Sequence, residues 1–489
     1  MPRDTGVWGF MGRFAQKRLI QALWKVGITA TAWNICTAVG ADCLGKGECR
    51  GIILESFRET VNKTSFDTVA WALLVYLVRL PAHGLWSGVS HDQGREVFRK
   101  ESLMDKGNNL LHHYKFEVPE IVFGRGMLSQ VGSCARRLGG RKIFLVSDQG
   151  LFKAGWVDQV MKSLMEAGLD FIYYDHVSIN PKDLEIEEGA REYLRHGTDV
   201  IVGLGGGSAM DAAKGIAILS ANGGRIRDYE GTDRIIRPLP PMVLCPTTCG
   251  TGSDVSQFAI ITDTEKRCKL TLMSRCIAPD ISLTDPDTLK TLPEEYICTT
   301  ATDALSHALE AFFSIASTTL TDVHAIKAIR LLNASLVQAV REHTPDAMEN
   351  LSRASLHAGM AFSNSLLGIV HALAHPIGGY YNANHGSINA VLLPEVIRYD
   401  LPVVTEKLPE LAWGLGHGGG DAASASEVVQ EAVESLLEAC GAPRSLRSLG
   451  VQREDLPDLA EKALHDACLM TSPRQADAKD LLTILERAY

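Results

Sequence analysis

Two pairs of residues carry the most legible chemistry in this chain. Asp303 and His307 stand four apart in TDALSHALEAF, and His371 and His375 repeat the interval in GIVHALAHPIGG. His385 follows shortly after, in NANHGS. On a helix, residues four apart project from one face, so each pair can serve a common point. A carboxylate and three imidazoles drawn from this set offer a divalent transition metal a mixed oxygen and nitrogen shell with positions left open. No cysteine accompanies them, which favours a catalytic over a structural site. His112, His113, His324, His343 and His417 lack such spacing and are expected on the surface or in packing.

A second constellation suits an anion. Gly205, Gly206, Gly207 and Ser208 follow the apolar run DVIVGL and precede 209–221, which has a helical pattern. Glycines admit a ligand close to the backbone, and a helix N-terminus offers it free N–H groups. The strict G-x-G-x-x-G fingerprint is absent, because Ser208 stands where its third glycine would be. Asp148, at the end of KIFLVS, is placed to accept from a ribose diol, although an acidic residue there also serves as a helix cap. The loop 246–254 (PTTCGTGSD) is rich in hydroxyls and small residues. Two such loops at the carboxyl ends of strands in one sheet would seat a nucleotide at its edge.

The elements that must hold these groups fall into two kinds. Strand-like runs at 116–123, 142–147, 170–174, 199–204 and 241–246 alternate with helical stretches at 127–138, 156–167 and 184–195. That alternation predicts a parallel sheet covered on both faces. Beyond about 293, helical spacing dominates at 296–314, 321–341, 348–364, 369–378, 427–440 and 456–469. The expected organisation is an extension over 1–103, a nucleotide-binding α/β domain over 104–292 and an all-helical, metal-binding domain over 293–489. No flexible linker marks the second boundary, so a cleft between the two domains is the expected ligand site.

The 489 residues carry a formal charge of −10. The first 103 contain 13 basic and 9 acidic residues, a net of +4, and hold five of the seven tryptophans, whereas the remaining 386 carry −14. Only Gln16–Lys25 and Phe66–Leu80 in this extension have helix-like spacing, and its fold is unassigned. A natural start at Met104 is expected, since composition and patterning change there. An acidic chain lacks the basic face that phosphate backbones require, so nucleic acid is excluded as the main partner. The apolar runs 26–41 and 68–78 fall short of the ~20 residues of a bilayer span, so no membrane partner is expected. Eleven scattered cysteines without a CxxC pair fit a cytoplasmic protein rather than a secreted disulfide scaffold.

The stretches GGGSAMDAAKGIA, PTTCGTGSDVSQFAIITD, DALSHALEAF and GIVHALAHPIGGYYNANHGSINAVLLP occur in that order. With them the chain from about Tyr114 to Tyr489 resembles the iron-containing (group III) alcohol dehydrogenases over essentially their whole length. The resemblance implies a Rossmann-like α/β domain followed by a dehydroquinate synthase-like helical domain. It also implies hydride transfer between NAD(H) and a primary alcohol or aldehyde, with the metal polarising the substrate oxygen. By position, Asp303, His307, His371 and His385 would hold Fe2+, with Zn2+ accepted by the same ligands. His375 would stand near the nicotinamide as a proton-transfer group. Gly205, Gly206, Gly207 and Ser208 would hold the pyrophosphate, and Thr247, Thr248 and Thr251 would line the cofactor. Lys269 would approach a ribose hydroxyl, and Asp148 would favour NAD over NADP by repelling a 2′-phosphate.

A homo-oligomer, dimeric or larger, is expected. Phe258, Phe362 and Tyr380 are the aromatic candidates for the substrate pocket. Cys249 replaces the family's alanine and introduces a thiol expected to confer sensitivity to oxidants; Asp254 and Ala209 replace glutamate and proline. Two alternatives accompany this reading. One is a neighbouring superfamily activity, such as maleylacetate reductase or a polyol dehydrogenase. The other is a non-catalytic regulatory descendant that binds NAD or aldehyde, disfavoured by four intact ligands.

Overall fold

The runs KIFLV, VIVGLG and MVLCP are short, apolar and almost wholly buried, the pattern of strands in a sheet held between layers. The computed structural model describes residues 115–266, 268–381, 383–418 and 422–489. The extension 1–103, its helix-like stretches, the expected start at Met104, and His112 and His113 lie outside the described residues. The strands are β1 (Glu120–Phe123), β2 (Lys142–Val146), β3 (Asp170–Tyr174), β4 (Val200–Gly205), β5 (Gly231–Thr232), β6 (Met242–Pro246), β7 (Phe258–Asp263), β8 (Cys268–Met273) and β9 (Ile281–Thr284). Six of them form a parallel sheet in the order β1-β9-β6-β4-β2-β3. The connecting helices include α1 (Val131–Arg137), α2 (Gln149–Lys153), α3 (Trp156–Glu166), α4 (Asp183–His196) and α5 (Gly207–Asn222).

The period of two along the strands decides which layer each residue serves. Ile143, Leu145, Val200 and Val202 pack with Val131, Val157 and Leu164 of α1 and α3. Phe144, Val146 and Ile201 pack on the other face with Ile186 and Ile216 of α4 and α5. The sheet is therefore parallel and covered on both faces, as the alternation of strands and helices predicts.

A helical half follows, with α6 (Glu294–Phe313), α7 (Thr319–Glu342), α8 (Pro345–Ser365), α9 (Ile369–Tyr381) and α10 (His385–Asp400). After these come α11 (Leu408–Gly414), α12 (Ala422–Ala439), α13 (Leu456–Ala463) and α14 (Ala478–Ala488). α6 is central and packs against α7, α8 and α10. Ala301, Ala304, Ala308 and Ala311 are fully buried along it, small residues that let neighbouring helices approach closely. Among the described residues no single helix is long and apolar enough to cross a membrane.

Three details depart from the pattern read along the chain. β1 begins at Glu120, because Pro119 has no N–H to pair; Glu120 N donates to Asp280 O at 3.0 Å. A second sheet, β5-β8-β7, with β7 and β8 antiparallel, was not anticipated, nor was β9. Finally, the single helix expected over 456–469 is broken. α13 stops at Ala463, and a 3-10 turn, Ala467–Thr471, starts where Asp466 caps the N–H of Cys468 at 2.8 Å. That break delivers Asp466 to the site described next.

Candidate functional site

Strand register places the phosphate-type loops side by side. Gly205 at the end of β4 pairs with Pro246 at the end of β6, and Thr247 N donates to Gly205 O at 2.9 Å. On the other flank Val146 pairs with Gly203, so Asp148 lies two residues past the edge of the adjacent strand. The three expected cofactor segments thus meet at the carboxyl edge of β2, β4 and β6, where open α/β sheets bind ligands. They line a cavity of ≈ 1280 Å³ whose far wall is formed by α6, α8, α9 and the start of α10.

The glycines are required by packing as well as by approach. Gly205 has φ +155, and a Cβ there would come within 2.5 Å of the Ala209 Cβ. A Cβ on Gly207 would meet Thr251 Cγ2 at 2.7 Å. Gly206, Gly207 and Ser208 face the cavity, whereas Gly205 shapes the turn behind them without lining it. The N-terminus of α5 has no side-chain cap, so its donors point toward ligand space. Thr247, Thr248 and Thr251 also line the cavity, and Thr248 Oγ1 is buried without a hydrogen-bond partner. A buried hydroxyl with no protein partner beside an open cavity fits a bound polar ligand.

Asp148 combines both roles weighed for it. Its Oδ1 caps α2 by accepting from Gly150 N at 2.8 Å and Leu151 N at 3.1 Å, while the side chain borders the cavity. Lys269, on β8, donates to Asn180 Oδ1 at 2.7 Å and Thr262 Oγ1 at 3.1 Å. Burial lowers its ammonium to about 8, with Asp211 working in the opposite direction. Asn180 N also donates to Ser208 Oγ at 3.3 Å, which ties the lysine to the glycine turn.

The metal candidates come from three helices. Asp303 and His307 share a face of α6; His371 lies in the first turn of α9, and His385 opens α10. Asp303 Oδ1 is 3.7 Å from His307 Nε2, 3.7 Å from His371 Nε2 and 3.8 Å from His385 Nε2. Ligand atoms about 2.1 Å from a shared cation would stand roughly 3.0–3.6 Å apart, so the observed edges are wider by only a few tenths. Asp303, His307 and His371 form the tight trio, with ligand atoms within 4.8 Å of one another. Phe362 stacks on His307 at 4.4 Å and holds its plane, and His307 Nδ1 faces Gly250 O at 3.3 Å.

The electrostatics suit a cation. Burial works to raise the Asp303 carboxyl, but His307, His371 and His385 hold it below the usual carboxylate range. Burial pushes His307 down to about 4 and His385 down to about 3, leaving both neutral with lone pairs to offer. Burial also pushes His371 down, yet the Glu310 and Asp303 carboxylates outweigh it and raise the imidazole to about 9. The residues present therefore fit a divalent metal: one ionised oxygen donor, imidazole nitrogens and surrounding negative charge.

His375 lies beside this cluster, its ring stacked on His385 at 5.8 Å, and its Nδ1 is 2.7 Å from Asp466 Oδ2. His375, Asp466 and Cys468 form a second group of ligand-type side chains. The 2.7 Å spacing is a hydrogen bond, shorter than the ~3.3 Å edge of a tetrahedral metal site, so this group reads as an oriented histidine.

Several residues contribute that sequence reasoning did not single out. Glu310 contacts His371, and Asn389 Nδ2 lies 2.7 Å from Asp303 Oδ1 and 3.2 Å from both His371 Nε2 and His385 Nε2. Both carry a helical signal, Glu310 three residues past His307 and Asn389 four past His385. Asp466 had none, since it depends on the break after α13. Two expectations are corrected. Tyr380 does not border the cavity, although Phe258 and Phe362 do; its ring is largely exposed because it points from the outer face of α9. Cys249 is fully buried against Thr300, and burial pushes its thiol up to about 11, so it is not the reactive group its position suggested.

Comparison with known proteins matches these features to a single lineage. Residues 119–286 fit the model of iron-containing alcohol dehydrogenase, and residues 297–489 fit the C-terminal model of the Fe-containing alcohol dehydrogenase family. A 1,3-propanediol dehydrogenase of Citrobacter freundii is 39% identical over 382 residues, which are 77% of this chain and 99% of that protein. An NAD-dependent methanol dehydrogenase of Bacillus methanolicus is 36% identical over 76% of this chain and 99% of its own length. The crystal structure of a 1,3-propanediol oxidoreductase, 39% identical, superposes with a TM-score of 0.76 over 77% of this chain and all of that one.

Proposed function

The chain belongs to the iron-containing alcohol dehydrogenase family, and from that premise we propose that it interconverts a short primary alcohol or diol with its aldehyde, using NAD(H). The observation that carries this reading is that the Asp303, His307 and His371 cluster shares one cavity with the glycine turn and the threonine loop. When bound, a divalent metal supplies Lewis acidity toward the substrate oxygen, and the nicotinamide supplies the hydride acceptor or donor.

The protein's own groups do the positioning. Asp303, His307, His371 and His385 hold the metal, iron by family and zinc by the same donor chemistry. Gly206, Gly207 and Ser208 seat the pyrophosphate on the first turn of α5, and Thr248 Oγ1 gains the partner it lacks within the protein. Lys269 and Asp148 address the ribose end. Phe258 and Phe362 exclude water around the reacting carbon, where fixed geometry supplies proximity. His375, held at Nδ1 by Asp466, presents Nε2 to receive the proton released on oxidation or return it on reduction. The relatives named for propanediol and methanol support small alcohols as the substrate class. The described cysteines are all free, which supports the cytoplasm, and a homo-oligomer completes the reading.

The test is a metal-reconstituted preparation assayed for alcohol-dependent NADH formation across methanol, ethanol, 1,2- and 1,3-propanediol, with maleylacetate and longer polyols as competitors. His371→Ala should lose metal and activity together while NADH binding, followed by fluorescence, persists. Activity in metal-free His371→Ala would defeat the proposal.

A further inference from the structure

Asp303, His307 and Glu310 occupy positions i, i+4 and i+7 of α6 and so share one helical face. The first two face the metal position, while the third reaches past it to the start of α9. Glu310 is buried, and its two oxygens are divided between two donors. Oε1 accepts the N–H of Val370 at 2.6 Å, and Oε2 lies 2.5 Å from His371 Nδ1. Val370 is in the first turn of α9, where backbone N–H groups have no helical partner, so the carboxylate also meets the positive end of that helix. Close approach is built in: a Cβ on Gly368 would stand 3.0 Å from Oε1.

The hydrogen-bond logic then determines the imidazole. An ionised carboxylate only accepts, so Nδ1 of His371 donates to it, and Nε2 is the nitrogen left to face the ion. The opposite side of the ring agrees. Asn389 Nδ2 donates to Asp303 Oδ1 at 2.7 Å, which identifies that atom as the amide nitrogen, and the same nitrogen lies 3.2 Å from His371 Nε2. An amide donor beside Nε2 matches a lone pair on that nitrogen, the lone pair a metal would use.

We propose that Glu310 is a positioning residue of the metal centre, fixing His371 in the Nδ1–H tautomer and presenting Nε2 to the ion. The proposal rests on the metal reading above and extends it to a residue outside the ligand set. A merely structural Glu310, capping α9, makes a different prediction for one substitution. In Glu310→Gln the amide oxygen still accepts from Val370, so the cap survives. The amide NH2 then faces Nδ1, and donor meets donor unless His371 moves its proton to Nε2 and closes the ligating lone pair.

The experiment uses the full chain with zinc as the probe, its affinity measured by competition with a chromophoric chelator, and NADH fluorescence as the control for folding. Wild type should take up one zinc per chain. Glu310→Gln should bind it about 10- to 100-fold more weakly, the loss usual for such supporting carboxylates, with NADH binding retained. A loss below fivefold overturns the proposal. Should Glu310→Gln fail to fold, the wild-type zinc protein decides by 15N-histidine NMR, with the His371 signals assigned by subtraction in His371→Ala. A protonated Nδ1 with zinc on Nε2 supports the assignment, and zinc on Nδ1 overturns it. Wild-type protein that takes up no metal overturns the parent reading instead, a result distinguishable from both.

Discussion

Lys269 offers a sharp test of the cofactor site because its protonation should set cofactor affinity. Its ammonium is held by Asn180 Oδ1 at 2.7 Å and Thr262 Oγ1 at 3.1 Å at the edge of the cavity. Burial lowers it to about 8, against a partial opposing pull from Asp211. An anionic dinucleotide favours the protonated lysine, so affinity is full below about 8 and falls as pH rises through that value. Once the lysine is mostly neutral, the ceiling is about tenfold, or ~1.4 kcal/mol, per pH unit. Partial compensation by the α5 N-terminus and by solvent makes roughly three- to tenfold weaker NADH binding at pH 9 than at pH 7 the expected result. The assay is equilibrium NADH fluorescence from pH 6 to 9.5 at constant ionic strength, in wild type and Lys269→Met. The variant should bind like high-pH wild type and show a flat profile. A flat wild-type profile, or an unchanged slope in Lys269→Met, would remove Lys269 from the cofactor site.

Two further outcomes follow from the geometry. Asp148→Ser keeps a residue able to cap α2 while removing the negative charge beside the cavity, so stability should hold and the ratio of kcat/KM for NADP to that for NAD should rise about 5- to 150-fold, matching a like-charge repulsion of about 1–3 kcal/mol; an unchanged ratio would show that Asp148 does not face the ribose. Lys214 is fully buried and donates to Ser256 O at 2.9 Å and Phe258 O at 2.7 Å, and burial lowers it to about 8. Between that value and the unfolded lysine's ~10.5 the unfolded chain binds more protons, so wild-type stability gains on Lys214→Met as pH rises, by at most about 1.4 kcal/mol per unit. Urea midpoints at pH 7.5, 8.5 and 9.5 check this, and a constant difference would mean the lysine is not perturbed in the fold.

The residue types and spacings along the chain determined a good deal. Alternating apolar runs specify a parallel sheet because strands buried on both faces have no polar side to show. Asp303 with His307 and His371 with His375 announce convergent pairs because helical geometry is local. The motifs GGGS and PTTCGTG announce their role because only small residues let backbone approach a ligand. Local geometry could not say which histidines meet. His371 and His375 share one helix and one spacing, yet the fold turns His371 toward Asp303 and gives His375 to Asp466, a pairing 91 residues apart that depends on the break after α13. Glu310 and Asn389 look like ordinary helix residues until α6, α9 and α10 pack together and bring them onto the ligand atoms. Cys249 carries a nominally reactive thiol, and its position against α6 renders it inert. Spacing fixes what a single element can present; burial, tautomer and partner are properties of several elements at once, and only packing creates them.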